Sequence, residues 1–303
     1  MEIATLVCNN GLNYDITFQT YSMYEYLKKQ GNQVQIVDYN FLNKDDRKTE
    51  MLYDFLYNNA ILTFNRYKDI NQLDENLPLA DKFIVLNGEY NELSLQMSGN
   101  NNIAYGVKTS LSDIDKLSEN FSKISTFYET KDENIKRVID PIFLLSREEW
   151  YDIINQESNI ELPADYILIY SDIVTSEMLN YAFNISNQSG SKIYIVADKI
   201  KQVFYRGKRV RNVKPLDLLN LILNAQDVIT SCDDGIKFSV LFEKKLHIFS
   251  NEEESQIELI NDLNLRKRIV NNSNQALSLN TEYSDSYKEI DKLRKNSFEF
   301  LEA

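Results

Sequence analysis

The sequence predicts an α/β protein built from two successive Rossmann-like units that face each other across a cleft. Three observations lead to that class. Short apolar runs alternate with helical periodicities along the chain, the alternation starts afresh after Asp140-Pro141, and 303 residues with 43% hydrophobic content suffice to fill two cores. Where strands and helices alternate in this way, neighbouring strands are parallel and each crossover is right-handed by default.

The first strand is residues 3–7, an apolar run ending in the polar loop Asn9-Asn10-Gly11. A helix over 15–30 follows, with Ile16, Thr20, Met23 and Leu27 on one face and Gly31 to end it. Residues 34–37 complete a βαβ unit. Strands at 83–86, 103–105 and 124–127, with helices near 48–58 and 111–120, extend the same sheet. In the second half, Ser146 and Glu149 have capping-box spacing at the start of a helix that runs through Trp150 to about residue 156. Strands at 166–170, 192–196, 227–229 and 246–249 are separated by helices near 175–188, 215–225, 235–242 and 252–263, and Pro215 suits a first helical position. The last element is an amphipathic helix over 284–301. The expected domains are therefore 1–145 and 146–282, with 283–303 a terminal helix packing back on the first domain.

Composition excludes several classes. A formal charge of −13 opposes unspecific nucleic-acid binding, which needs a basic surface. No apolar run reaches the length of a membrane span, and no basic segment precedes an apolar one at Met1-Glu2-Ile3, so a cytoplasmic protein is expected. Cys8 and Cys232 lie far apart, as reduced thiols do, and with one His they are too few for a zinc site. All eight glycines are isolated, which rules out the dinucleotide fingerprint and the P-loop, and no G-x-S-x-G elbow is present.

The most informative stretch is 224–239, which reads as a helix end, a short buried strand, a polar turn and a new helix start. In an open parallel sheet that turn lies at the carboxyl end of a strand, where ligands bind. Asn224-Ala225 through Val228-Ile229-Thr230 to Gly235, Phe238 and Ser239 resembles a signature of the polysaccharide pyruvyl transferase family, N-A-x-x-V-I-T-N-S-F-H-G-x-x-F-S, with Asp234 at the family's His. Further segments resemble the same family in order: Leu12-Asn13-Tyr14-Asp15 with Gln19, Val37-Asp38-Tyr39, Ile139-Asp140-Pro141 through Leu145 with Glu149-Trp150, and Leu263-Asn264-Leu265 with Arg268. There are departures too. Asp15 stands for a Gly, Leu86-Asn87-Gly88-Glu89-Tyr90-Asn91 keeps none of the family's G-S-D-Q-x-W letters in place, and Tyr128-Glu129 takes the place of its R-E pair.

The resemblance implies a fold similar to GT-B glycosyltransferases. It also implies transfer of a pyruvyl group from phosphoenolpyruvate to a sugar or lipid-linked glycan of a capsule or exopolysaccharide, with no cofactor or metal and with a homo-oligomer or another glycan-synthesis enzyme as partner. Asp234 and Glu129 are then the catalytic candidates. Asn13, Tyr14, Gly235, Lys237, Arg206, Arg209 and Arg211 are the substrate-binding candidates.

Each candidate has a structural alternative. Asp234 suits an N-cap accepting backbone N–H groups, which would close the anion site of that helix. Glu129 suits a salt bridge, Asn13 a turn, and Lys237 a solvated surface. Arg206, Lys208, Arg209, Arg211 and Lys214 form a basic run that serves either as a clamp for a diphosphate or as an exposed hairpin. His247 lies in a strand, as a structural His does. Two other functions stay open: an inactive accessory or binding subunit on the same scaffold, motivated by the departures, and a nucleotide-sugar-dependent glycosyltransferase.

Overall fold

The computed structural model describes residues 1–7, 11–42, 46–87, 101–107, 117–118, 121–157, 162, 165–203, 205–272 and 279–302. The expected helix over 111–120, apart from Leu117 and Ser118, lies outside these residues, as do the 88–91 loop, Cys8 and Asn9-Asn10. The chain divides into Met1–Leu145 with Asp291–Ala303, and Ser146–Ile290.

The first unit runs β1 (Glu2–Val7), α1 (Tyr14–Lys29), β2 (Gln33–Tyr39), α2 (Arg47–Asn59), β3 (Leu62–Tyr67), α3 (Ile70–Glu75), β4 (Lys82–Leu86), β5 (Ile103–Tyr105), β6 (Lys123–Thr126), β7 (Lys136–Arg137) and a 3₁₀ turn, Pro141–Leu144. Its sheet has the order β3-β2-β1-β4-β5-β6-β7, with every pair parallel. The order reverses between β1 and β4, which is the Rossmann arrangement and fixes where a crevice opens at the strands' carboxyl ends. Helix α1 forms because Asn13 caps it, its Oδ1 accepting from the Ile16 N–H at 2.8 Å, while Asp15 and Lys28-Lys29 complement the helix dipole at its two ends. Gly31, at φ +82°, supplies the left-handed turn into β2.

The last helix, α9 (Ser284–Glu302), begins in the second unit and continues in the first from Asp291. Within the first unit, Phe298 stacks on Tyr26 with ring centres 5.0 Å apart. Ser297 Oγ accepts from the Ile139 N–H at 2.8 Å and the Tyr105 hydroxyl at 2.9 Å, and donates to the Leu293 carbonyl. All three groups are buried, so this hydroxyl ties α9 to β5 and to the segment before the 3₁₀ turn.

The second unit runs α4 (Arg147–Glu157), β8 (Tyr166–Tyr170), β9 (Ile173–Val174), α5 (Ser176–Ser189), β10 (Lys192–Val196), β11 (Lys199–Ile200), β12 (Lys208–Val210), α6 (Pro215–Asn224), β13 (Asp227–Thr230), α7 (Asp233–Leu241), β14 (Lys245–Ile248), α8 (Glu254–Asp262), a 3₁₀ turn at Arg266–Arg268, and the start of α9. The five-stranded sheet has the order β12-β10-β8-β13-β14, again all parallel, and β9 pairs with β11 in a small parallel ribbon. The capping box is formed: the Ser146 N–H donates to Glu149 Oε2 and the Glu149 N–H to Ser146 Oγ. Trp150, fully buried, meets Phe238 edge-on and seats α4 against α7. A buried side chain of this kind contributes about 1.5–3 kcal/mol each.

Two departures from the sequence-based expectation have a common cause. Strand β3 has an edge position and exposes Phe64 completely, so it lacks an apolar alternation. The basic run is no hairpin: Lys208–Val210 is the parallel edge strand β12, in register with Tyr194–Val196.

Replacing Ser297 by Ala leaves the buried Ile139 N–H without an acceptor and is expected to cost about 1–3 kcal/mol. Urea unfolding followed by near-ultraviolet circular dichroism checks this, and an unchanged midpoint contradicts it.

Candidate functional site

The order of the second sheet reverses between β8 and β13, so a ligand crevice is expected where these two strands end, at Tyr170-Ser171-Asp172 and Thr230-Ser231-Cys232-Asp233-Asp234. The turn after β13 is built from its own side chains. Thr230 Oγ1 accepts from the Cys232 N–H at 3.0 Å. The buried Gln256 amide donates at 2.8 Å both to the Ser231 carbonyl and to Asp233 Oδ1. Across the switch point the Ser171 and Ser231 hydroxyls are 2.7 Å apart. Ser171 donates its one proton to the Ile173 carbonyl, so Ser231 is the donor of that pair.

Helix α7 comes so close to the strand ends that only glycine fits at 235. A Cβ there would overlap Thr230 Oγ1 and lie 2.9 Å from Tyr170 Cδ1. This approach brings Asp234 into the interior, 3% exposed, where the Tyr170 hydroxyl donates to its Oδ2 at 2.7 Å. Burial pushes the Asp234 carboxyl up to about 6, against the Tyr170 hydrogen bond, the Lys237 charge and the Gly235 N–H, which favour the ionised form; Asp172 adds to the upward push. Asp234 therefore does not cap the helix. The N-cap is Cys232, which makes no side-chain cap bond, and Asp234 sits inside the first turn. Lys237 is buried as well, which corrects its reading as solvated surface.

The other candidates fall in two groups. Asn13, Tyr14 and Glu129 belong to the first unit; Arg206, Arg209, Arg211, Asp234, Gly235 and Lys237 belong to the second. Asn13 is the α1 cap, and Tyr14 is buried on Phe18 with the Lys48 ammonium 5.1 Å from its ring centre. Glu129 is 87% exposed on its side chain, with Oε1 3.7 Å from Arg137 Nη1, which is the ion-pair reading. Arg206 lies over Phe183, Arg209 donates to the Ala197 and Asp198 carbonyls, and Arg211 is exposed. His247 is locked between Tyr181 and Asp227, at 2.8 Å from each.

Sequence reasoning missed three groups. Tyr170, the partner of Asp234, looks like the last residue of an apolar run. Arg137 comes from the next strand to Glu129, so no local motif connects them. In the first unit, Gln19 Nε2 donates to Asp15 Oδ2 at 3.0 Å and Asp140 Oδ2 at 2.7 Å, while its Oε1 accepts from Asn87, the residue after β4. The Gln19 and Asp140-Pro141 segments, remote in sequence, thus meet beside that strand end. Among the described residues, no group of three or more His, Cys, Asp or Glu is arranged to hold a metal ion.

The family model of the polysaccharide pyruvyl transferases matches residues 17–231, most of the chain. The chain belongs to the polysaccharide pyruvyl transferase family. The matched span stops at Ser231, just before Asp233 and Asp234. Membership places the chain in glycan synthesis. Comparison with curated proteins by sequence gives no match. Among solved structures, the chain is similar to Staphylococcus aureus MnaA in its co-structure with UDP, with a TM-score of 0.57 and 9% identity over 98% of this chain and 90% of that one. It is also similar to the Methanocaldococcus jannaschii UDP-GlcNAc 2-epimerase in complex with UDP-GlcNAc and UDP (0.56, 11%, 97% and 93%) and to the glycosyltransferase SnogD from Streptomyces nogalater (0.53, 8%, 99% and 95%). These likenesses show the fold, a GT-B-like pair of Rossmann-like units.

Two outcomes follow from the Asp234 site. Gly235→Ala forces α7 off the strand ends and is expected to lower stability by about 1–3 kcal/mol, read by thermal unfolding. Asp234→Asn tests the buried carboxyl. Its folded value lies above its unfolded one, so its contribution to stability is fully present below the unfolded value and is lost as pH rises through about 6. The melting temperature of the Asn variant relative to the parent should therefore rise between about pH 3 and pH 7, the range bracketing about 3.9 and the raised value. A difference that stays flat with pH contradicts the assignment.

Proposed function

We propose that the chain transfers a pyruvyl group from phosphoenolpyruvate to two hydroxyls of a sugar in bacterial cell-surface glycan synthesis, with Asp234 as the general base toward the acceptor. The observation that carries this reading is the buried Asp234 carboxyl at the switch point of the second sheet, oriented by the Tyr170 hydroxyl and raised to about 6. A carboxylate titrating there is mostly ionised at neutral pH and basic enough to take a hydroxyl proton.

The reaction balances as follows. The two acceptor oxygens bond to the central carbon of phosphoenolpyruvate and its bond to the phosphate oxygen breaks. Of the two hydroxyl protons, one is matched by protonation of the methylene to a methyl group and the other leaves with phosphate. Asp234 supplies the base for an acceptor hydroxyl, and Tyr170 holds it in place.

A second reading, a binding subunit without transfer, is favoured by one specific feature. Asp172, Asp233 and Asp234 follow the two strand ends, where a trianionic donor meets repulsion, Asp234 standing where the resembled signature has a His. The UDP and UDP-GlcNAc in the structural neighbours' names add a nucleotide-sugar donor as a comparison.

Phosphate release from phosphoenolpyruvate over a panel of glycosyl acceptors tests the proposal. The expected result is acceptor-dependent release whose rate falls as pH drops through about 6. Asp234→Asn should lower that release by roughly 10²–10⁴-fold and remove its acid limb. A flat trace with every acceptor refutes transfer. Thermal shift then separates the alternatives: a ligand at about 100 times its Kd stabilises by about 2.7 kcal/mol, so a response to UDP-GlcNAc alone indicates a nucleotide-sugar site.

A further inference from the structure

From Lys199 to Leu216 the chain carries seven cations and no carboxylate, in a protein of net charge −13. The fold buries few of them, although the exposed Asp172 and Asp198 flank the ribbon, and the Glu177 carboxyl is held below its ordinary value by a backbone N–H bond first and in part by the Lys201 charge. Arg209 is pinned, its Nη2 donating at 2.8 Å to both the Ala197 and Asp198 carbonyls, which draws the end of β12 against the start of β11. Lys199, Lys201, Arg206, Lys208, Arg211 and Lys214 are exposed. Lys199 is the register partner of Ile173 in the β9–β11 ribbon, beyond the carboxyl ends of β8 and β10. Arg211 follows β12 at the same end of the sheet.

Apolar side chains stand among these cations. Val203 is 84% exposed and Ile173 46% exposed. A lysine on an edge strand is a common guard against strand pairing, and Lys208, 5.4 Å from the Tyr194 ring centre, meets that need. Edge protection does not call for cations on the β11 and post-β12 segments, nor for an exposed Val203. Cations bordering projecting apolar side chains are what an anionic bilayer selects, the charges resting at the headgroups and the apolar groups entering the interface. A soluble polyanion has no use for the apolar part. No helix among the described residues is long and apolar enough to cross a membrane, so contact of this kind is peripheral.

We propose that the β9–β11 ribbon and edge strand β12 form a peripheral membrane-docking surface for an anionic bilayer, with Lys199, Lys201 and Arg211 at the headgroups and Val203 and Ile173 in the interface. It is independent of which group the chain transfers.

Co-sedimentation of the full chain with phosphatidylcholine vesicles, with and without phosphatidylglycerol, tests it. The expected result is binding to the anionic vesicles only, largely lost on raising the salt from roughly 0.1 M to roughly 0.5 M. The double variant Lys199→Glu/Arg211→Glu should bind at least about tenfold more weakly, and Val203→Asp should also bind detectably more weakly. All three positions are exposed, so unchanged melting temperatures certify the fold. Absence of binding to anionic vesicles, or binding that the double variant leaves intact, overturns the proposal. So does a Val203→Asp variant that binds vesicles as the parent does, because the surface would then be a site for polyanions in general.

Discussion

The second unit depends on one contact, the approach of α7 to the ends of β8 and β13, which leaves room for no side chain at position 235. That approach takes the first turn of α7 out of solvent, and with it Asp234 and Lys237. A carboxylate and an ammonium carried inward together meet a desolvation cost that their mutual attraction offsets only if other polar groups complete the bonding. The Tyr170 hydroxyl does so for Asp234. The raised pKa is thus a consequence of packing, since a looser helix would leave the carboxyl hydrated and near its ordinary value.

The strands of the two parallel sheets were legible where they are buried on both faces. Tyr166–Tyr170 is buried at every position and reads as a continuous apolar run, as interior parallel strands do. Strands β3, β7 and β12 were not legible, because edge strands of two to six residues with charged or exposed side chains carry no periodicity to detect. At the site, the spacing around Gly235 exposed the turn, and the structure gives the glycine its steric reason. The partner of Asp234 escaped notice because its role depends on strand pairing: Tyr170 registers with Thr230, and only the folded sheet brings it to α7. The N-cap reading failed by two residues. Hydrogen-bonding preference alone favours an Asp cap, but the Thr230 hydroxyl already holds the Cys232 N–H, so the helix starts earlier and turns Asp234 inward.

Asp234 stands where the resembled family signature carries a His, and that difference changes the sign of the charge the site offers when ionised. A protonated imidazole favours an anionic donor; a carboxylate favours groups that give it a proton. Among the described residues of this unit a run of cations lies around β11 and β12, while Asp172, Asp233 and Asp234 cluster at the switch point. The same sheet end therefore carries both charges, the acids at the strand crossover and the cations toward the edge, with Asp172 beside Lys199 where the two meet.

The net charge of −13 decides how such an edge works. At a distance the chain is repelled by any anionic surface, and attraction begins only when the cluster lies within a Debye length of about 8 Å. Cations spread evenly over the molecule would be cancelled by neighbouring carboxylates. Gathered from Lys199 to Leu216 with no acid between them, they act as a local site bordered by the exposed Asp172, Glu177 and Asp198. The selection is then of orientation more than of affinity, because the rest of an acidic chain gains less from approaching an anionic surface. An acidic chain with a basic edge thus favours that edge toward an anionic surface, where a uniformly basic chain would stick in any pose.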